Sequence, residues 1–216
     1  MPYLMRNIIP LNIFDSIKNY ILSQCKIGIR GYKYTRGNED SISGQFFSRL
    51  SQVEPHFDGN YTWQIEYNQS TSGGVNSFER RTGADGVFQI IFHDGTRYYR
   101  KGLLFQAKKN GSTQNLREQV RSMERIKENC SAYIDYSEGS FTAKDGKKYL
   151  ESGKNEKINL CEYLVNNFMG CNVGALDMYY DFDEQRLMVD DTIIYTRPPK
   201  EVTTVNISNT ANRRWR

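Results

Sequence analysis

The chain has 216 residues, of which 38% are hydrophobic and 13% aromatic. That length suits one elaborated domain, and the apolar content allows a sizeable core and excludes wholesale disorder. The formal net charge of +4 is compatible with a polyanionic partner but does not require one.

Four cysteines are scattered along the chain: Cys25, Cys130, Cys161 and Cys171. They form no CxxC pair, which excludes a zinc ribbon and a thioredoxin-like motif. Reduced, partly buried thiols are therefore expected. Because Asp15 and Lys18 interrupt the N-terminal apolar segment, we expect neither a signal peptide nor a membrane-spanning helix, and the cytoplasm is the expected compartment.

The first third of the chain predicts helices followed by a strand. Apolar residues at helical spacing indicate an amphipathic helix over 7–25, and a connector rich in Gly, Tyr and Arg follows at 28–37. A second helix is predicted to begin at 38–40, where acidic residues suit the first turn. Alternation indicates a strand over 61–69, and a flexible turn is expected at 70–74.

The middle of the chain predicts a β-hairpin and a helix. Two apolar runs at 86–92 and 102–105 have strand character, and the turn-rich segment 93–97 joins them. Residues 116–126 carry an apolar stripe at helical spacing.

The last third is less regular. It predicts short strands at 132–136 and 140–143, an exposed loop at 144–157, a helix over 160–168, two short strands within 187–196, and a mobile tail from residue 197. No internal repeat or boundary is visible, so residues 1–216 are expected to form a single domain.

Three polar residues stand at one end of the predicted hairpin. Asp85 precedes its first strand, and Gln106 and Lys108 follow its second strand with one residue between them. Residues two apart on a strand point to the same face, so Gln106 and Lys108 are expected to project together. In a paired hairpin the entry of the first strand lies beside the exit of the second, which predicts that Asp85 joins them.

This set of side chains has the composition of a divalent-metal site with a lysine beside it. Asp85 is a suitable anionic ligand for Mg²⁺ or Mn²⁺, and the amide oxygen of Gln106 is a weaker neutral one. Lys108 is suited to hold an attacking water or to stabilise charge that develops on a phosphate. The pattern indicates phosphodiester hydrolysis, for which a bound metal ion acidifies water and bridges phosphate oxygens. The alternative is that these are ordinary surface residues at strand ends.

The sequence TGAD ending at Asp85, followed by LLFQAK with Gln106 and Lys108, resembles the PD-(D/E)xK nuclease superfamily in its QxK variant, including restriction-type and phage-defence nucleases. The resemblance covers roughly residues 35–143. It implies an α/β, restriction-endonuclease-like αβββαβ core with a central mixed sheet flanked by helices. Residues 144–216 are then a C-terminal α+β elaboration ending in the mobile tail.

Carried over by position, the resemblance makes Asp85 the metal-binding acid, Gln106 the variant second ligand and Lys108 the catalytic lysine. It also makes Glu39 the acid from the preceding helix, with Glu79 as the competing third acid. Gln119, on the following helix, matches a recurring position.

Basic residues surround the proposed site in sequence and are typical of phosphate contacts. The candidate nucleic-acid contacts are Arg80, Arg81, Lys109, Arg117 and Gln119, and Arg97, Arg100 and Lys101 are close in sequence. The expectation is an Mg²⁺- or Mn²⁺-dependent DNA endonuclease in bacterial defence, with a homodimer or a partner protein as further expectations. Because the chain has no GxxxxGK[ST] loop, any ATPase activity would come from that partner.

Two other interpretations stay open at this stage. A binding or assembly protein that retains the nuclease fold is compatible with Gln106, because losing a carboxylate weakens metal binding. An RNA-directed nuclease would use the same site residues.

Overall fold

The structure is a computed structural model, and it describes residues 5–32, 39–70, 77–152 and 157–211, with side chains from residue 7 onward. The helices are α1 (Met5–Ile8), α2 (Leu11–Gly31), α3 (Glu39–Ser48), α4 (Phe78–Thr82), α5 (Leu116–Ile126), α6 (Gly146–Ser152), α7 (Leu160–Glu162) and a π-helix (Tyr163–Met169). The strands are β1 (His56–Asp58), β2 (Tyr61–Gln69), β3 (Gly86–His93), β4 (Tyr98–Lys109), β5 (Ser131–Ser137), β6 (Ser140–Asp145), β7 (Ile158–Asn159), β8 (Ala175–Leu176), β9 (Met178–Asp181), β10 (Arg186–Val189), β11 (Thr192–Tyr195) and β12 (Glu201–Asn209).

A large mixed sheet organises the chain, with helices on both faces. Its order is β1-β2-β12-β3-β4-β5-β6-β7, and β8 pairs with part of β4. Strands β3 and β4 form the predicted antiparallel hairpin, β5 runs parallel to β4, and β12 runs parallel to β3. A separate three-stranded sheet has the order β11-β10-β9.

Alternation along the central strands divides the core into two layers. Phe88 and Ile90 of β3 face a cluster that includes α2, α3 and the π-helix, whereas Val87 faces α4, α5 and the small sheet. Both faces are covered, which explains why the residues of β3 form a nearly continuous apolar run. The class is therefore α/β, with a mixed sheet flanked by helices, as the sequence predicted.

Most predicted elements form. Helix α5 has the predicted bounds, because Leu116, Val120 and Met123 fall on one stripe and are buried. The expected helix after residue 160 is also present, and most of it is a π-helix that ends before Gly170. The expected strands at 61–69, 132–136, 140–143 and within 187–196 are confirmed, and no cysteine of the described chain forms a disulfide.

Two predicted connections are partly wrong. Residues 28–31 of the predicted connector belong to α2, while 33–38 lie outside the described residues. Part of the predicted loop 144–157 forms α6, and residues 153–156 lie outside the described residues. This helix begins there because Asp145 Oδ1 accepts a hydrogen bond from the Lys148 amide at 3.0 Å, and because Tyr149 and Leu150 pack on the core. The predicted turn at 70–74 falls mostly within 71–76, which are outside the described residues.

The prediction of a mobile tail from residue 197 is wrong for residues 201–209. These residues form β12, which lies inside the sheet between β2 and β3. Val202 faces one core layer, and Val205 and Ile207 face the other. Its β-branched residues suit a buried strand, but the preceding Pro-Pro pair and the basic C-terminal end conceal that signal. Residues 212–216 lie outside the described chain.

Within the described ranges, none of the helices has the length and apolar character needed to cross a membrane.

Candidate active site

Asp85, Gln106 and Lys108 meet at one pocket, as the hairpin register requires. Gly86 is the register partner of Phe105, so Asp85 lies beside the end of β4 that carries Gln106. The pocket has a volume of about 200 Å³ and is lined by Glu39, Asp40, Glu79, Asp85, Gln106, Lys108 and Lys200. Strand β4 is longer than predicted, so Gln106 and Lys108 are within the strand and are held more firmly than residues beyond its end.

Asp85 is fixed at the bottom of this pocket. Its side chain is 6% exposed, and its Oδ2 accepts hydrogen bonds from Gln106 Nε2 at 2.6 Å and from the Ala107 amide at 2.9 Å. Burial raises the pKa of Asp85 to about 7, with the Lys200 charge lowering it and the Glu79 charge raising it. Burial of the carboxylate favours any cation that neutralises it.

Gln106 presents an unused oxygen to the same space. The residue is 2% exposed, and its Oε1 has no hydrogen-bond partner among the described residues. Its Nε2 is occupied by Asp85 and by the Ala107 carbonyl oxygen at 3.2 Å. Because buried polar atoms are normally paired, this oxygen is a candidate to accept a hydrogen bond or to bind a cation.

Helix α4 brings Glu79 to the pocket. Ser77 caps its beginning by accepting from the Arg80 amide, and Gly83 ends it in the left-handed conformation at φ 81°. A Cβ at Gly83 would lie 2.2 Å from the Gln119 carbonyl oxygen, so this glycine permits α4 to approach α5 closely. Gln119 Nε2 in turn donates to Glu79 Oε1 at 3.3 Å, which gives Gln119 a positioning contact.

Helix α3 supplies the other two acids. Glu39 and Asp40 occupy its first turn, and Glu39 is half-buried. Burial raises the pKa of Glu39, while the charge of Lys108 lowers it. The structure thus brings both sequence-derived alternatives, Glu39 and Glu79, to the same pocket.

Sequence reasoning missed Lys200. Its Nζ lies 2.9 Å from Glu79 Oε2, 3.3 Å from Asp85 Oδ1 and 3.3 Å from Asp40 Oδ1. Burial alone would lower the pKa of Lys200, but the charges of Asp85 and Glu79 outweigh it and the pKa is raised. Among the described residues, no three His, Cys, Asp or Glu side chains are grouped tightly enough to suggest a metal site by themselves. The carboxylates instead surround this ammonium.

Glu201 is a second missed residue, buried next to the site. It is 2% exposed, and its Oε2 has no hydrogen-bond partner in the part of the chain that is described. Burial and the charges of Asp85 and Asp40 together raise its pKa to about 9, against the opposing charge of Lys200. Glu201 therefore stays protonated at neutral pH.

The predicted nucleic-acid contacts occupy different places. Arg80 and Gln119 line a pocket next to Glu79, and Lys109 is half-buried at the end of β4. Arg117 donates to the Leu150 carbonyl oxygen at 3.1 Å, on α6.

Lys101 is one of the basic residues close to the site in sequence, and the structure buries it elsewhere. It is 1% exposed and donates to the Phe168 carbonyl oxygen, with its Nζ 4.5 Å from the centre of the Phe168 ring. Seven residues of extended strand, about 23 Å, separate Lys101 from Lys108. Lys101 is therefore a core residue of β4 and makes no contribution to the pocket.

A second cavity carries two arginines among otherwise uncharged side chains. It measures about 470 Å³ and is lined by Arg81, Thr82, Ile126, Ile194, Tyr195, Thr196 and Arg197. Helix α4 carries Glu79 in the acidic pocket and Arg81 in this cleft, and the segment before β12 likewise carries Lys200 and Arg197. Two elements therefore contribute side chains to both spaces.

Fold and site together define an α/β protein with a carboxylate, amide and lysine pocket at one end of its central sheet. Comparisons with protein-family models, with curated proteins and with solved structures found no match to this chain.

Proposed function

We propose that the protein is a metal-dependent phosphodiesterase that cleaves DNA. The observation that carries this proposal is the convergence of Asp85, Gln106 and Lys108 on one pocket, with the Gln106 oxygen left unpartnered. This geometry and the helix-flanked mixed sheet support the finer assignment to a restriction-endonuclease-like fold. The order α3, β2, β3, β4, α5, β5 fits the expected core, with β1 and α4 added along the chain and with β12 between β2 and β3 in the sheet.

The residues present fit a divalent metal ion. Asp85 Oδ2 is taken by two amide donors, which leaves Oδ1 directed to a cation, and Gln106 Oε1 is a second hard oxygen. Glu79 and Glu39 line the same pocket and are available to bind the metal or its waters. When bound, Mg²⁺ or Mn²⁺ would acidify a water and neutralise phosphate oxygens.

The chain's own residues would perform the remaining tasks. Lys108 would orient the attacking water or stabilise the charge on the phosphate, since it is half-buried and lines the pocket. Gln119 would hold Glu79 in place. Arg81 and Arg197, which line the cavity of about 470 Å³, would be the candidates for contacts with the phosphate backbone.

The test is a cleavage assay with supercoiled plasmid and, separately, structured RNA, each in Mg²⁺, Mn²⁺ or EDTA. We expect metal-dependent nicking of DNA that falls at least about 100-fold in Asp85→Asn and in Lys108→Met. Lys26→Met, which removes an exposed lysine on α2, is the matched control and should retain activity. Unchanged cleavage by Asp85→Asn would refute the assignment, and preferential cutting of the RNA would change the substrate to RNA.

A non-catalytic nucleic-acid-binding or assembly protein is the second candidate. The contacts of Lys200 with three carboxylates favour it, because they offset part of the negative charge of these acids without a metal. It predicts DNA or protein binding that is the same in EDTA and in Mn²⁺, and that survives Lys108→Met.

The biological setting is proposed from the sequence resemblance alone. It is bacterial defence in the cytoplasm, with a homodimer that cuts both strands or with a partner protein that supplies activation. Light scattering of the purified protein, with and without DNA, tests the dimer.

A further inference from the structure

The position of Lys200 is determined by its backbone. Its amide donates to the Asp85 carbonyl oxygen at 3.0 Å, and its own carbonyl oxygen accepts from the Ser70 amide at 2.8 Å. The next residue, Glu201, is the register partner of Gly86, so the starts of β12 and β3 lie side by side. The sheet therefore places a lysine next to the acid that begins β3.

The side chain of Lys200 donates to Asp40 and Asp85 and forms an ion pair with Glu79. A lysine ammonium has three N–H donors, and its nitrogen has three carboxylate oxygens within 3.3 Å, from Asp40, Glu79 and Asp85. These acids belong to α3, to α4 and to the residue before β3. One cation thus joins three separate elements.

Lys200 competes for the one Asp85 oxygen that a metal would need. Oδ2 of Asp85 is held by two amide N–H groups, and Oδ1 is 3.3 Å from Lys200 Nζ. If Asp85 Oδ1 held a metal ion, it would be shared with this ammonium, and the two positive charges would repel each other.

We propose that Lys200 is an internal cation that holds the carboxylates together in the metal-free protein and that a divalent metal ion binds by displacing it. This inference rests on the metal site of the proposed function. The backbone of Lys200 can remain in place during displacement, since its hydrogen bonds belong to the sheet. Its four-carbon stem is flexible and its side chain is 25% exposed, so the ammonium has a route towards solvent at the mouth of the pocket.

Metal affinity in the absence of DNA tests the inference. Mn²⁺ binding is measured by isothermal titration calorimetry for the full-length wild type, Lys200→Met and Lys108→Met. Lys108→Met is the matched control because it removes the same charge from the same pocket, while in the described structure Lys108 makes no ion pair with Asp85. We expect Lys200→Met to bind Mn²⁺ at least about tenfold more tightly than wild type, and more tightly than Lys108→Met.

Thermal unfolding gives an independent readout. In EDTA, Lys200→Met should unfold at a lower temperature than wild type, because its carboxylates repel one another without a cation. Saturating Mn²⁺ should raise its unfolding temperature by more than it raises that of wild type. If Lys200→Met is unfolded in EDTA, folding on addition of Mn²⁺, followed by circular dichroism, supports the inference, and Lys200→Gln provides a milder variant for the titration.

The outcomes separate this inference from the proposed function. Equal Mn²⁺ affinity in wild type, Lys200→Met and Lys200→Gln would overturn the internal cation and leave the metal site standing. Absence of Mn²⁺ binding in all folded variants would overturn the metal site, and with it both the inference and the metal-dependent function.

Discussion

Changing Gln106 to Glu would put back the acid that glutamine replaces in the QxK variant, and the structure predicts opposite effects on stability with and without metal. In the metal-free protein, Gln106 Nε2 donates to Asp85 Oδ2 at 2.6 Å. Gln106→Glu replaces that donor with a second acceptor at the same place. Two carboxylates would then face each other in a buried site.

The loss of stability in Gln106→Glu follows from the distance between the side chains of residues 106 and 85. Two unit charges 2.6 Å apart repel by about 6 kcal/mol at an effective dielectric constant near 20. The pair will relieve this repulsion by retaining a proton, because one pKa of a closely spaced carboxylate pair is strongly raised. Losing a hydrogen bond to a charged group adds about 1.5–3 kcal/mol. With relaxation, we expect a net loss of about 2–4 kcal/mol of unfolding free energy at pH 8 in EDTA.

The assay is thermal unfolding in EDTA and in saturating Mn²⁺. For a chain of this length, that loss lowers the unfolding temperature by roughly 5–15 °C. With Mn²⁺, Gln106→Glu should unfold at a higher temperature than wild type, because the added carboxylate is a stronger metal ligand than the amide oxygen. Gln106→Met is the control: it removes the same donor and the same oxygen without adding a charge, so it should lose stability in EDTA and gain little from Mn²⁺.

Two results would refute this reasoning. If Gln106→Glu is as stable as wild type in EDTA, its new carboxylate does not face Asp85. If Mn²⁺ stabilises Gln106→Glu and Gln106→Met equally, the position is not a ligand.

Three other variants test the surroundings of the site. The pKa of Glu201 rises on folding from 4.5 to about 9. The wild type should therefore lose unfolding free energy relative to Glu201→Gln as the pH rises between those values, by about 1–3 kcal/mol at pH 8 in urea unfolding. Parallel plots of unfolding free energy against pH for the two proteins from pH 4 to 9 would contradict this. Gly86→Ala places a Cβ 2.4 Å from Phe105 and 2.7 Å from the Glu201 carbonyl oxygen, and should cost about 1–3 kcal/mol, whereas Gly31→Ala has no contact below 3.7 Å and should be neutral. Burial lowers the pKa of Lys101 from 10.5 to about 8, so Lys101→Met should be about 1 kcal/mol more stable than wild type at pH 7, and the difference should shrink as the pH rises from 8 to 10.5.

The part of the site that depends on local pairing could be predicted from the sequence. Asp85, Gln106 and Lys108 belong to one hairpin, and the two-residue period of a strand determines which side chains share a face. Glu39 and Glu79 could be proposed only through the resemblance, because nothing in their local sequence ties α3 and α4 to that hairpin. The structure brings both of them to the pocket.

Lys200 could not be predicted, since its place depends on pairing between strands more than 100 residues apart. The turn signals around Pro198 and Pro199 indicate an irregular segment, and a short β-branched run after them is also compatible with an edge strand or a tail. Strand β12 can insert between β2 and β3 only if each of these strands leaves one edge unpaired for it. The residue pattern within 201–209 does not indicate which strands this segment pairs with.

The same long-range pairing explains why two lysines in one pocket have different roles. Lys108 is fixed by β4, two residues from Gln106, and lines the pocket on the wall that would face a substrate. Lys200 is the residue before β12 and forms ion pairs with the acids themselves. Removing either lysine changes the charge of the pocket by the same amount, but only the loss of Lys200 leaves Asp85 Oδ1 without its cation. Any measured difference in metal affinity between the two variants therefore reports the position of the ammonium, because the net charge of the two proteins is the same.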